Sequence, residues 1–247
     1  MNFEVRRFPA LDSTNRYLLT EARAGAPEGV VAVADHQTAG RGRRGRTWVA
    51  APGSALLCSV LLRPDLEPGR RQLVTMAAGL AAADAVEAVA GFAPELKWPN
   101  DLVVGERKLA GLLAESDSTA SPSRPAPVVV GIGINVAPDP RLPDEVAARA
   151  TSCREVAGRA VEVDALLDAL LDRLGERYEA GLGPATVTDY RRRLATIGRA
   201  VRVERPDGEV VGRAVDVGPA GELLVEVGAG CVVDVHVGDV VHLRPAR

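Results

Sequence analysis

The sequence predicts an α+β fold: strands backed by helices over residues 1–196, then a small, mostly β unit over 197–247. Three observations carry this. Short, nearly unbroken apolar runs such as SALLCSVLLRP and VVVGIGINV have the length and composition of buried strands. Two longer stretches read as helices, one alanine-rich over 70–90 and one with Leu166, Leu167, Leu170, Leu171, Leu174 and Tyr178 at helical spacing. From Ile197 the character changes to short β-rich runs punctuated by PDGE, GPAGE, GAG and HVGD, the turn rhythm of a small β domain.

The elements follow in order. LDSTNRYLLTEARAG is a helix opened by Asp12, Ser13 or Thr14 and closed by Gly25, with Tyr17, Leu18 and Ala22 on one face. GVVAVADHQ is a strand, GRGRRGR (residues 40–46) a loop, and SALLCSVLLRP a second strand. Residues 70–90 contain no proline and a single glycine, Gly79, and form a long helix. PELKWPNDLVVGERKLAGLLAES contains two extended runs joined as a hairpin at GERK. STASPSRPAP is a loop, and VVVGIGINV is another buried strand.

Composition bounds the function. At 247 residues, with 47% hydrophobic and 26% charged residues, the chain is an ordinary globular protein with enough apolar material for a substantial core. No run of 18 apolar residues and no charged-then-apolar leader occurs, so the expectation is a cytoplasmic protein without a membrane partner. Cys58, Cys153 and Cys231 lack the paired spacing of a zinc site or disulfide scaffold and are expected as buried thiols in a reducing compartment. The net charge is −3, aromatics are 3%, and residues 198–247 hold six arginines against eight acidic residues, which argues against a nucleic-acid surface.

Of the 30 basic residues 28 are arginine, and the two lysines are Lys97 and Lys108. Either these are two surviving surface lysines, or they stand where a compact ammonium is required and a planar guanidinium does not serve. The loop at 40–46 packs four arginines and three glycines together. Such a loop either is simply solvated or closes over anions, its backbone N–H groups and guanidiniums facing phosphate oxygens. It is neither a P-loop nor a dinucleotide fingerprint, since GxxxxGK[ST] is absent and no helix follows.

KWPND (97–101) combines a cation, an aromatic, a rigid turn and an amide beside a carboxylate; Asp101 is there either as a turn former or to bind magnesium or accept a proton. In KLAGLLAE, Lys108 begins a strand and Gly111 permits close approach of a ligand. GIGIN ends an apolar strand on the amide of Asn135. The three histidines show no triad or metal spacing, and no serine nucleophile elbow is present.

Taken in order, DSTN, QTAGRGRRGRTW, KWPNDL, KLAGLLAE and GIGINV resemble the biotin protein ligases. The resemblance implies a mixed sheet backed by helices, of the class II aminoacyl-tRNA synthetase and biotin ligase type, followed by a small SH3-like barrel. It implies ATP and biotin as substrates, with Mg²⁺, and a biotin carboxyl carrier domain of an acetyl- or acyl-CoA carboxylase as partner. By the same similarity Ser13, Thr14, Asn15, Gln37, Arg41, Gly42, Arg43, Lys108 and Gly111 would bind biotin, and Arg46, Trp48, Asn100 and Asn135 the nucleotide. Lys108, Arg43, Asp101 and Lys97 would carry catalysis, with Asp101 at the magnesium. Some members begin with a DNA-binding winged helix; LDSTN starts so early here that the expectation is a ligase without that repressor function.

The alternatives at this stage are a lipoate ligase of the same fold, a nucleic-acid-binding module using the arginine loop, and a non-catalytic biotin sensor. The lipoate pattern lacks GRGRRG and KWPND. A nucleic-acid binder predicts further basic patches and stacking aromatics. A sensor has no reason to keep both lysines.

Overall fold

Side-chain alternation along the strands decides how the layers stack. The computed structural model describes residues 1–116, 126–228 and 230–243. It begins with β1 (Glu4–Phe8), α1 (Thr14–Arg23), β2 (Val30–Ala34) and β3 (Ala55–Leu62), followed by α2 (Gln72–Ala90). Strands β4 (Glu95–Lys97), β5 (Asp101–Val104), β6 (Arg107–Ser116) and β7 (Val128–Asn135) come next. Two short helices, α3 (Asp144–Ala147) and α4 (Cys153–Ala157), precede α5 (Val163–Glu179) and α6 (Pro184–Arg193). These seven strands form one mixed sheet, β1-β2-β3-β7-β6-β5-β4, parallel only between β1 and β2.

The two faces of this sheet have different fates because successive side chains point to opposite sides. On one face Leu56, Cys58, Val60 and Leu62 of β3 and Val130, Ile132 and Ile134 of β7 join the main core with the buried sides of α2 and α5. Leu56, Leu80 and Leu170 are fully buried there, each contributing about 1.5–3 kcal/mol. On the other face Leu61 and Val129 pack under Leu18 and Ala22 of α1. Leu57 packs near Trp48 beyond the start of that helix. Although α2 is long and apolar enough to cross a bilayer, 78% of its apolar window is buried inside the protein, as befits a central core helix.

The C-terminal strands β8 (Ala200–Arg205), β9 (Gly208–Val217), β10 (Leu223–Val227), β11 (Cys231–Val235) and β12 (Asp239–His242) form an antiparallel sheet in the order β11-β10-β9-β8-β12. Trp98 stitches it to the larger sheet. Its indole Nε1 donates to the Gly221 carbonyl at 2.9 Å, and its backbone N–H donates to Thr196 Oγ1 at 3.2 Å.

Three expectations need correction. Cys58 and Cys153 are buried, but Cys231, at the start of the edge strand β11, is exposed. The first extended run of PELKWPNDLVVGERK is not continuous: it turns at KWPN, where the Trp98–Pro99 peptide is cis, and folds back as the antiparallel pair β4 and β5 with Lys97 opposite Asp101. The arginine stretch is not a plain loop but a small hairpin, with Arg41 bridged to Thr47, Trp48 N–H donating to Gly40 O at 3.0 Å, and a single 3₁₀ turn over Arg43–Gly45. The loop expected at STASPSRPAP lies, over 118–125, outside the described residues, as does Ala229 of the GAG turn.

Candidate active site

Cross-strand register builds the floor of the site. Lys97 pairs with Asp101, Asp101 with Gly111, Gly111 with Gly133, and Gly133 with Leu57, a single row across five strands. The neighbouring row on the same face runs Leu113, Gly131, Ser59 and Ala32. In GIGIN the isoleucines therefore face the helices and the glycines face the site.

Both site-facing glycines are needed. A Cβ on Gly133 would stand 2.7 Å from Trp48 Cε2, and one on Gly111 would stand 2.9 Å from Trp48 Cζ3 and 3.0 Å from Lys108 Nζ. The indole of Trp48 thus lies directly over this row, with its Nε1 buried and without a hydrogen-bond partner.

Lys108 reaches the row through an irregularity. By strict alternation it would share the core-facing side with Ala110 and Leu112. The register shifts between Leu102, which pairs with Ala110, and Val103, which pairs with Lys108, leaving Leu109 as an extra residue. A β-bulge of this kind re-aims the side chains that follow it. The Lys108 ammonium lies 2.6 Å from Asp101 Oδ1 and 5.5 Å from the Trp48 ring centroid. The backbone groups displaced by the bulge find partners in the segment before α4: Lys108 N–H donates to Arg149 O at 2.7 Å and Thr151 N–H donates to Lys108 O at 2.9 Å.

The other end of the site is polar and neutral. Ser13 caps α1, so Thr14 and Asn15 occupy the first turn, nearly fully buried. Extension of the β1–β2 pairing brings Gln37 beside Leu11, and Gln37 Oε1 accepts from Thr14 N at 2.8 Å and from Thr14 Oγ1 at 3.1 Å. The Gln37 amide N–H donors remain as the groups this residue offers to a ligand. Ser59 Oγ lies 2.7 Å from Thr14 Oγ1 and 2.6 Å from Asn15 Oδ1, and Asn15 Nδ2 donates to Leu113 O and to Glu115 Oε2.

These groups surround one cavity of about 630 Å³. Its wall includes Ser13, Thr14, Asn15, Gln37, Arg41, Gly42, Arg43, Arg46, Trp48, Lys97, Asn100, Asp101, Lys108 and Gly111, all singled out from sequence. Asn135 is the exception. It borders a separate cavity of about 290 Å³, and its amide donates to Thr151 O at 3.0 Å and Lys108 O at 3.5 Å.

The sequence reading missed several lining residues. Gly131 and Gly133 are explained by strand alternation, a signal that was present; the same alternation puts Ser59 behind the wall, under Thr14 and Asn15. Arg149, Glu204 and Asp239 come from distant segments, and nothing local marks them.

The electrostatics are lopsided. Burial lowers the pKa of Arg43, while Asp239 and then Asp101 oppose that shift. Burial pushes the Cys58 thiol on the cavity wall up to about 12, so it is no nucleophile at neutral pH. Among the described residues no cluster of three His, Cys, Asp or Glu exists to cage a metal. The carboxylate on the floor, Asp101, is paired with Lys108. That donor set fits a magnesium ion arriving on substrate phosphates, which takes few protein ligands.

A neutral hydrogen-bonding end, a glycine floor, an ammonium and a hairpin of guanidiniums suit a site that brings anionic groups together. Comparison with known proteins narrows this. Residues 8–135 match the biotin/lipoate A/B protein ligase family, and residues 196–243 match the biotin protein ligase C-terminal domain. A biotin–[acetyl-CoA-carboxylase] ligase of Mycobacterium tuberculosis is 42% identical over 240 residues, covering 94% of this chain and 86% of the relative. The bifunctional ligase/repressor BirA of Bacillus subtilis is 33% identical, over 89% of this chain and 68% of its own. The structure of a biotin protein ligase from Aquifex aeolicus in complex with biotin and ATP superposes with a TM-score of 0.83 at 27% identity, covering 98% and 99% of the two chains. The chain belongs to the biotin protein ligase family.

Proposed function

We propose that this chain is an ATP-dependent biotin protein ligase that works in two steps in the one cavity. In the first, a carboxylate oxygen of biotin attacks the α-phosphorus of ATP, the bond to the β-phosphate oxygen breaks, and pyrophosphate leaves, giving biotinyl-5′-AMP. In the second, a lysine amine of a biotin carboxyl carrier domain attacks the acyl carbon, AMP leaves, and an amide forms. The names of the relatives point to the carrier of acetyl-CoA carboxylase, with other acyl-CoA carboxylases as the wider class.

The observation that carries this reading is the bulge that turns Lys108 onto the same row as Asp101 and Lys97, in a cavity shared with the arginine hairpin and the Thr14–Gln37 pair. The biotin carboxylate is already ionised at neutral pH and needs no base. What opposes the first step is repulsion between two anions, and fixed positive charge in a partly enclosed site lowers it. Lys108 stands between the two ends of the cavity. Arg43 and Arg46, with Lys97, supply charge for the phosphates, and a magnesium ion arriving with ATP, held near Asp101, would neutralise part of the rest.

Ser13, Thr14, Asn15 and Gln37 form the head-group end, with Gly111 beside the biotin chain. Arg41 and Gly42 belong to the lid. Trp48 and Asn100 face the nucleotide. Asp101 holds the Lys108 ammonium and is the carboxylate at hand to take the proton released from the attacking amine. A mixed anhydride is easily hydrolysed, so a closed hairpin also shields the intermediate. Residues 1–196 carry the reaction and 197–247 form the small appended domain. We place the enzyme in the cytoplasm, where Cys58 and Cys153 remain free thiols.

ATP–pyrophosphate exchange measured in parallel with biotin and with lipoate tests the reading. Exchange that depends on biotin is expected. Exchange with lipoate alone overturns it.

A further inference from the structure

The arginine hairpin is held from outside the sheet that carries it. Asp239, at the start of β12, accepts from Arg46 at 2.6 Å and from Arg43 at 3.2 Å, and the Arg44 guanidinium lies 3.7 Å away. Next to it, Gly238 O accepts from Arg43 at 3.1 Å, and Glu204 O accepts from Arg44 at 3.1 Å. Arg44 sits at φ 54°, a backbone conformation uncommon for a residue with a side chain, at the tip that makes these contacts. The opposite end of the hairpin is tied to the large sheet, where Arg41 pairs with Glu115 at 2.9 Å.

An exposed ion pair would carry no argument. Here the carboxylate is only 14% exposed and gathers three guanidiniums that would otherwise repel one another. Removing the one anion leaves the mostly buried Arg43 without its carboxylate partner and the more exposed Arg44 and Arg46 repelling it, which weakens docking. Asp239 also lines the cavity, so the same contact that seats the hairpin closes the site.

We propose that Asp239 is a positioning residue: it latches the arginine hairpin onto the C-terminal sheet over the cavity and thereby sets how long biotinyl-5′-AMP is kept from water. The retention part rests on the proposed reaction; the latch itself does not. Three guanidiniums on one carboxylate leave net positive charge facing the cavity, so the latch seats the lid without cancelling its attraction for phosphates.

The test uses the full chain, Asp239→Asn and Asp239→Glu, with two readouts and a melting curve for each. In ligand-free protein, trypsin should cut within residues 41–46 about tenfold faster in Asp239→Asn than in the parent, the scale expected when the mostly buried Arg43–Asp239 pair is broken. Asp239→Glu should restore most of the protection. With biotin and ATP, the escape of biotinyl-5′-AMP into solution should rise by about the same factor, while pyrophosphate exchange at saturating ATP stays within about threefold. A parent protein that shows no biotin-dependent exchange sinks the ligase reading, and the trypsin comparison still decides the latch. Unchanged cleavage of the hairpin overturns the latch. Faster cleavage with unchanged adenylate escape overturns its role in retention, as does a lowered melting temperature with no change in either rate.

Discussion

Gly131→Ala isolates the floor under the head-group end of the cavity. The added Cβ would fall well inside van der Waals contact of Asn15 Oδ1, 3.0 Å from its Cγ and 3.2 Å from its Nδ2. Gly131 lies in a strand with ordinary backbone angles, so the perturbation is steric and not conformational. Asn15 is 3% exposed and cannot swing into solvent. It must shift by several tenths of an ångström or more, away from Ser59 Oγ, which is 2.6 Å from its carbonyl oxygen. Losing that hydrogen bond leaves the amide oxygen buried without a partner, while Ser59 Oγ keeps Thr14 Oγ1 at 2.7 Å, and is worth about 2–3 kcal/mol. For a chain of this size that lowers the melting temperature by about 4–12 °C.

Thermal unfolding followed by circular dichroism measures this directly, and a double-mutant cycle identifies the cause. Asn15→Ala removes the colliding amide, so adding Gly131→Ala to it should do little further harm, a coupling of about 2 kcal/mol. Simple additivity of the two substitutions, or a Gly131→Ala protein melting within about 2 °C of the parent, would refute the packing argument.

Two further predictions follow from the charges. Lys108→Ala should cut biotin-dependent pyrophosphate exchange by about 100-fold or more, the scale for removing a group that stabilises developing charge. Its side chain is 39% exposed, so the melting temperature should stay within about 2 °C of the parent; near-normal exchange refutes the assignment. His242 is 8% exposed and held down to about 4, from 6.5, by burial and then by Lys97 and Arg199 against the pull of Glu106. Because the folded state favours the neutral ring, its contribution is intact above the unfolded value of 6.5 and is lost as pH falls toward 4, when the unfolded chain takes up a proton and the folded one does not. With screening this is worth about 1–2 kcal/mol. The drop in melting temperature between pH 7.5 and pH 4.5 should therefore be smaller in His242→Gln than in the parent, and an equal drop in both contradicts it.

Much of the architecture was legible because it rests on local pattern. The nearly unbroken apolar runs of β3 and β7 mark strands covered on both faces, and the leucine stripe of α5 states in the sequence which face is buried. The edge strand β1, EVRRF, is not legible because five residues with two adjacent arginines carry no alternation that separates a strand from a loop. Helix α6 opens with Pro184 after Gly183, a start signal that was available and unused. The break at KWPN was hidden because an apolar run on either side of Pro99 looks like one strand until the register is known. The site was legible as motifs, but not as geometry. Nothing in KLAGLLAE states that Leu109 is the extra residue of a bulge, and nothing near residue 239 announces a partner almost two hundred positions earlier.

Asn135 offers a decisive measurement, because its motif and its contacts in the structure point to different roles. Sequence placed its amide at the nucleotide. In the structure it reaches the Thr151 and Lys108 carbonyls, in the segment that collects the backbone groups freed by the bulge. A bulge needs such partners, since displaced backbone N–H and C=O groups must still be paired. Removing the amide in Asn135→Ala leaves Thr151 O short of a donor in a residue that is 3% exposed, at about 1–2 kcal/mol. The melting temperature should fall by about 3–6 °C. Exchange should slow, because the backbone that aims Lys108 is less firmly held, while the KM for ATP stays within about threefold, as expected of an amide engaged by the Thr151 and Lys108 carbonyls. An unchanged melting temperature with a KM for ATP raised tenfold would put Asn135 back at the nucleotide.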